Sequence, residues 1–308
     1  MKHITTSVAL IGLLTTVANA QVWINEVLTN PNGSDSGAAF GNEHFELRGT
    51  PGISLAGYYF LSIEGQGTTG RGDVNQFFDL GAFSLGANGY LFARQNFSPY
   101  TTTAPGATVI ANTGGQGWGL TGASTVGHSG DGTQVDLENS ATTMLLIHKG
   151  IGAAPTLTLD LDTNDDGILD LPAGWTVADS VGILDGATGA ATDFSYGAVT
   201  LRVGGLGTSV SGAMVDVPGT SPTTAGAFYV GRKGDSTGST ANDWVGAILN
   251  GAQADALNIT FASTSDEFYL GKKLPDMVFG GPNPIPEPGL VSLLALGGLG
   301  FLLRRKQN

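Results

Sequence analysis

A chain of 308 residues with no cysteine has no disulfide framework and no thiol chemistry. Its formal net charge of −13 argues against partners bound through phosphate, such as nucleic acid, and against anionic lipid. Glycine supplies 49 residues, a share well above the usual ~7%, and only 13% of residues are charged, which indicates many turns and long loops between short apolar runs.

The first 20 residues read as an export signal. Lys2 gives a positive start, residues 8–17 are mostly apolar, and Ala18-Asn19-Ala20 has the small-x-small form of a signal-peptidase site, with Ala18 and Ala20 as its small residues. The mature chain is then expected to begin at Gln21 and to have entered the Sec machinery. Without Lys2, Arg304, Arg305 and Lys306, nine of the 13 basic residues remain; without Glu287, 25 of the 26 acidic ones remain. The body between the two ends thus carries a net −16.

From Gln21 the pattern is that of strands. Short runs at 22–28, 44–48, 58–63, 89–93, 143–148, 175–181, 228–230 and 268–270 are apolar, β-branched or alternating, and most are bounded by Gly, Asn, Asp or Pro. Many short strands with turn signals favour a sandwich or barrel. Residues 95–142 and 184–227 are poor in large apolar side chains and read as long loops or insertions. A body of this length buries roughly 70–75% of its unfolded surface and needs no covalent staple.

The opening of the body carries a resemblance. Trp23-Ile24-Asn25-Glu26-Val27 leads to Asn30-Pro31, then to Glu43-His44-Phe45-Glu46-Leu47-Arg48 and to Ile53-Ser54-Leu55-Ala56-Gly57-Tyr58-Tyr59-Phe60-Leu61. This series resembles the start of a lamin-tail domain, although Tyr58 stands where that family usually has Trp. The resemblance implies an immunoglobulin-like β-sandwich, used by secreted bacterial proteins as an accessory or adhesive module, with no catalytic residues to carry across. The expected fold is all-β: one enlarged immunoglobulin-like β-sandwich with long Gly-rich loops over residues 21–273, or two sandwiches as the alternative.

One segment has ligand chemistry. Asp162, Asn164, Asp166, the Ile168 carbonyl and Asp170 fall at positions 1, 3, 5, 7 and 9 of a loop with Gly167 at 6, the spacing with which oxygen ligands wrap a Ca²⁺ ion. Position 12 is Ala173 rather than a bidentate Glu, so a further ligand has to come from elsewhere, with Asp160, Asp165 and Asp179 as candidates. The competing reading is a solvated acidic turn between strands at 157–161 and 168–171.

Other motifs carry less. Gly65-Gln66-Gly67-Thr68-Thr69-Gly70 lacks the helix that a dinucleotide site needs. Gly234-Asp235-Ser236-Thr237-Gly238 lacks the helix and histidine of a nucleophile elbow. Arg71-Gly72-Asp73 reads as a turn. Glu26, Glu43, Glu46 and Glu64 are the carboxylates that could form a glycosidase pair, with a structural role preferred. Trp23, Trp118, Trp175 and Trp244 are read as core by default, with Trp118, between two glycines, expected to be exposed.

Residues 274–285 read as a Pro/Gly linker. Beyond them Pro286-Glu287-Pro288-Gly289 precedes an uncharged run, 290–303, and then Arg304, Arg305 and Lys306. A helix of ~14–15 residues spans roughly 21–23 Å, short of the ~20 residues that a bilayer core normally takes, and the three cations mark the cytoplasmic side. Motif, short apolar transmembrane helix and basic stop (residues 286–308) are similar to the PEP-CTERM sorting signal of Gram-negative bacteria. That resemblance implies export, a transient inner-membrane anchor and recognition by an exosortase at Pro286, Glu287 and Pro288. The expected protein is a non-enzymatic, structural or adhesive component of the cell surface or biofilm matrix, in contact with exopolysaccharide and holding one structural Ca²⁺. The alternatives are a secreted carbohydrate-binding module or hydrolase with its site in the long loops, and a permanently anchored protein.

Overall fold

Apolar side chains at every second position build strands wherever a second sheet can cover them, and here both faces of several strands are covered. The computed structural model describes residues 21–30, 41–67, 70–130, 135–137, 141–184, 193–203, 208–209, 212–219 and 228–286. The signal segment with Ala18 and Ala20, and the tail with Glu287, Pro288, Arg304, Arg305 and Lys306, lie outside the described residues.

The strands are β1 (Val22–Asn30), β2 (His44–Gly49), β3 (Tyr58–Glu64), β4 (Val74–Asp79), β5 (Tyr90–Arg94), β6 (Thr108–Ala111), β7 (His128–Gly130), β8 (Thr142–His148), β9 (Thr176–Leu184), β10 (Phe194–Ser195), β11 (Val199–Val203), β12 (Thr208–Ser209), β13 (Ala213–Val217), β14 (Phe228–Arg232), β15 (Trp244–Asn250) and β16 (Thr260–Thr264). One seven-stranded sheet runs β16-β15-β14-β1-β2-β5-β6 and a second β13-β11-β9-β8-β3-β4-β7, with β10 and β12 paired apart. The protein is all-β and sandwich-like, as expected from sequence. Neighbours are antiparallel except for β5–β6, β9–β11, β11–β13 and the separate β10–β12 pair, which are parallel.

The sheets meet over one core. Ile24, Val27, Phe45 and Leu91 from the first sheet pack with Phe60, Phe78, Leu146 and Val181 from the second. Phe45 stacks on Phe60 with ring centroids 4.3 Å apart. Such a pair contributes ~0.5–1.5 kcal/mol beyond the area it buries. A bulge in β1 sets what faces this core. The β1–β2 register slips between Ile24 and Glu26, inserting Asn25, so Ile24 and Val27 both point inward although three residues apart. Glu26 and Leu28 are thereby turned to the outer face, beside Glu46 and His44 of β2.

Both outer faces are covered as well. Leu28, Phe92 and Tyr229 on the first sheet lie under Tyr269, Leu274, Met277 and Phe279. Tyr59, Leu61, Leu145 and Ile147 on the second lie under Leu161 and Trp175. Residues 274–285 are therefore packed rather than a free linker, with Phe279 stacked on Phe92 at 5.0 Å. Three further expectations change. Residues 267–269 form a 3₁₀ turn where 268–270 reads as a strand. Residues 157–161 and 168–171 form no strand, only an isolated bridge between Asp160 and Asp73. The stretches 95–142 and 184–227 contain β6, β7 and β10 to β13.

Candidate functional site

The acidic loop folds onto the β3–β4 turn. The Leu161 N–H donates to the Gly72 carbonyl at 3.0 Å, which brings residues 160–170 beside Arg71 and Asp73. Asp165 takes a positive φ of 55° and Gly167 one of 84°, so the chain reverses tightly between them. Asp162 is the buried member, at 1% exposure. Its Oδ2 accepts from the Gly167 N–H at 3.0 Å and from the Tyr196 hydroxyl at 2.8 Å. Burial and the Asp162 carboxylate together hold the Tyr196 phenol well above its ordinary range. Asp162 Oδ1 is also buried and has no hydrogen-bond partner.

The other expected ligands are exposed and turned to the loop's own donors. Asp166 Oδ1 accepts from the Ile168 N–H at 2.8 Å and Oδ2 from Asn164 Nδ2 at 3.0 Å. Asn164 Oδ1 accepts from the Asp166 N–H at 3.2 Å. Asp170 Oδ2 accepts from the Thr163 hydroxyl at 2.6 Å. Ile168 is 66% exposed. Among the described residues no three Asp, Glu, His or Cys side chains gather closely enough to hold a metal ion. The donor set fits calcium at one atom, Asp162 Oδ1, an orphaned anionic oxygen that a hard cation would satisfy. The remaining oxygens would have to leave their N–H and O–H partners.

Arg71 answers part of the local charge. Its Nη2 lies 3.7 Å from Asp165 Oδ1, and its guanidinium sits over the Phe194 ring at 3.8 Å. Asp73 lies in the same field: burial first, then Asp160, Glu64 and Asp165, raise its carboxyl above the ordinary value. Asp179, named above as a possible further ligand, is elsewhere. It pairs with Arg232 Nη2 at 2.7 Å in the seam between the sheets.

The carboxylates considered for catalysis are structural in their contacts. Glu26, Glu43 and Glu46 are fully buried. Glu26 stands opposite Glu46 across the β1–β2 pair. The Tyr229 hydroxyl donates to Glu26 at 2.7 Å, and His44 Nε2 lies 3.2 Å from it. Asn25 Nδ2 donates to Glu46 at 2.7 Å, and the Gly280 N–H donates to its other oxygen. Burial, and then the Glu26 charge, raise the Glu46 carboxyl well above its usual range. Trp118 is fully buried rather than exposed, and its indole N–H donates to Glu43 at 2.6 Å. The Ser236 hydroxyl donates to Asp243, with no histidine in that contact.

Among the described residues, surface cavities include two beside the strands and segments described above. One, of about 290 Å³, lies between residues 99–104 and 275–279 and includes the single carboxylate Asp276. The other, of about 640 Å³, lies at the start of β1 and contains Trp23, Tyr58 and His148. Neither was placed by the sequence, although the partly apolar, aromatic Trp23 and Tyr58 were both within strands it predicted. No protein-family model matches the chain, and no curated protein and no solved structure matches it. Among the described residues no helix is long and apolar enough to cross a membrane.

Proposed function

We propose that this protein is exported through the Sec route, anchored briefly by residues 286–308 and sorted by an exosortase to the cell surface or exopolysaccharide matrix, where it is a structural or adhesive component. The lamin-tail resemblance of residues 23–61 supports an accessory module, and the all-β sandwich is compatible with it. The observation that carries the sorting reading is the tail itself. Pro286-Glu287-Pro288, an uncharged run and Arg304-Arg305-Lys306 come in that order. They begin where the packed body ends: the Tyr269 hydroxyl holds the Pro284 carbonyl at 2.6 Å, and Asn283 Nδ2 holds the Arg232 carbonyl at 3.0 Å.

The proposal includes one structural Ca²⁺ on the loop of Asp162, Asn164, Asp166, Ile168 and Asp170, supported by the buried, unpartnered Asp162 Oδ1. The ion would satisfy that oxygen and offset repulsion among the loop's carboxylates. Its affinity would be that of extracellular modules, ~10⁻⁴–10⁻³ M.

Intact-mass analysis of protein from native cells and from their matrix tests the route. Loss of residues 1–20 and a new C-terminus near 286–288 is the expected result. A membrane-bound form that keeps Arg304, Arg305 and Lys306 overturns processing and leaves a permanently anchored sandwich.

A further inference from the structure

The two sheets meet at one end of the sandwich through β1 and β9. β1 pairs with β14 only from Glu26 onward, and β9 pairs with β11 only from Val181 onward. The first halves of β1 and β9 turn toward each other instead, and the Ile24 N–H donates to Asp179 Oδ2 at 2.9 Å. The 640 Å³ groove lies beside this junction, within the ~300–1,000 Å³ range of ligand sites. Its walls present Trp23, Tyr58 and His148 with the polar side chains of Gln21, Ser54 and Thr176. Trp23, Tyr58 and His148 are each partly exposed.

The rings are held in place. Tyr58 meets His148 edge-on, with centroids 4.8 Å apart. A Cβ on Gly57 would stand 3.0 Å from His148 Nε2, and Gly57 has φ +82°, so a side chain there would displace the imidazole as well as strain the turn. No Asp, Glu, Lys or Arg lines the groove, in a body whose net charge is −16.

We infer that this groove binds a neutral saccharide. Aromatic side chains offer flat apolar faces to sugar rings. Amide, hydroxyl and imidazole groups both give and take hydrogen bonds, as sugar hydroxyls require. A uronic or phosphorylated sugar would find no cation in the walls and would approach through a repulsive field. The inference gives the matrix role a ligand class and rests on that reading only for its setting, because the binding is measured without export.

The test is a titration of the full chain, in a detergent without a sugar headgroup, with neutral hexasaccharides of glucose, galactose and mannose and with a hexauronate. Ligand-observed NMR and tryptophan emission report binding. At least one neutral sugar is expected to bind, the hexauronate more weakly. Trp23→Ala and Tyr58→Ala should each weaken binding about tenfold, the effect of losing ~1.4 kcal/mol, while Tyr58→Phe retains it. Melting curves identify any variant that fails to fold, and Tyr58→Phe with Thr176→Val then carries the comparison, the second weakening binding and the first not. No binding of any neutral hexasaccharide, binding that survives both alanine variants, or tighter binding of the hexauronate overturns the inference. None of these results bears on tail cleavage.

Discussion

Replacing Asp179 with alanine should be among the most damaging single changes in the body. Arg232 of β14 is fully buried. Its Nη2 meets Asp179 of β9 at 2.7 Å, its Nε donates to the Ile24 carbonyl of β1 at 2.7 Å, and its guanidinium lies over Trp244 at 4.3 Å. Asp179 also accepts from the Ile24 and Ser180 N–H groups at 2.9 Å. One ion pair thus joins both sheets at the seam. Burial is the larger influence on Asp179 and raises its carboxyl despite the arginine, so the pair does not offset its own desolvation cheaply. Removing only the carboxylate leaves a guanidinium buried without its counter-charge, at about 3–5 kcal/mol. That is a large part of a ~5–15 kcal/mol total, and at ~2–4 °C per kcal/mol the melting point falls ~6–20 °C. Asp179→Leu with Arg232→Met replaces both charges by apolar groups and should cost less than either single change. Urea unfolding of Asp179→Ala, together with the native protein, Asp179→Leu, Arg232→Met and their combination as a double-mutant cycle, measures this. A loss below 1 kcal/mol for Asp179→Ala, or single effects that simply add, would refute the reasoning.

The remaining expectations concern titration, packing and metal. Glu46 has a folded-state pKa raised above 4.5, so the folded state binds the extra proton, and the resulting stability is present at low pH and lost as pH rises from about 4.5 through the raised value. Glu46→Gln should remove that downward slope in pH-dependent melts, and an unchanged slope would exclude Glu46 as its source. His128 runs the other way: burial lowers it from 6.5 to about 4, so stability is lost as pH falls across that interval, by up to ~3 kcal/mol at 1.36 per unit. Phe279→Ala should cost ~3–5 kcal/mol if residues 274–285 are packed, because its ring meets Phe92, His44 and Tyr100; an effect near zero would restore the linker. Calcium at 10 mM, ~10–100 times the expected dissociation constant, should stabilise the protein by ~1.4–2.7 kcal/mol. Asp162→Asn should abolish the gain, and a melting point indifferent to calcium in the native protein would remove the ion from the proposal.

Seven of the strands follow from patterns that short-range physics imposes. β2, β3 and β8 are visible as alternating or continuous apolar runs because side chains on one strand take opposite faces. β15 is absent from the runs read as strands, although Trp244-Val245-Gly246-Ala247-Ile248-Leu249 is an unbroken run of the same kind. β4 was masked by Asn75 and Gln76, whose polarity suits a loop until Gln76 donates to the distant Asp136 carbonyl. The error over residues 274–285 has a different origin. Pro275, Gly280, Gly281 and Pro282 speak for a linker, while Leu274, Met277 and Phe279 are buried without any period that announces it. Trp118 was misplaced because its flanking glycines suggested exposure, whereas its partner Glu43 is 75 residues away. At the acidic loop, spacing singled out residues 162–170, but it could not show that Arg71, from another turn, lies 3.7 Å from Asp165 and answers part of its charge.

The packed end of the chain sets a stand-off distance. Five residues, 285–289, separate the anchored Pro284 carbonyl from the uncharged run, and at 3.3–3.6 Å each they reach about 17 Å. On the proposed route the newly exported sandwich is thus not a ball on a leash. It rests close above the bilayer, and any enzyme that cuts at Pro286-Glu287-Pro288 must work in a narrow gap between lipid and a folded wall. Once cut, the body leaves with almost no trailing peptide, so nothing remains on it to recapture the membrane or to tangle with its neighbours.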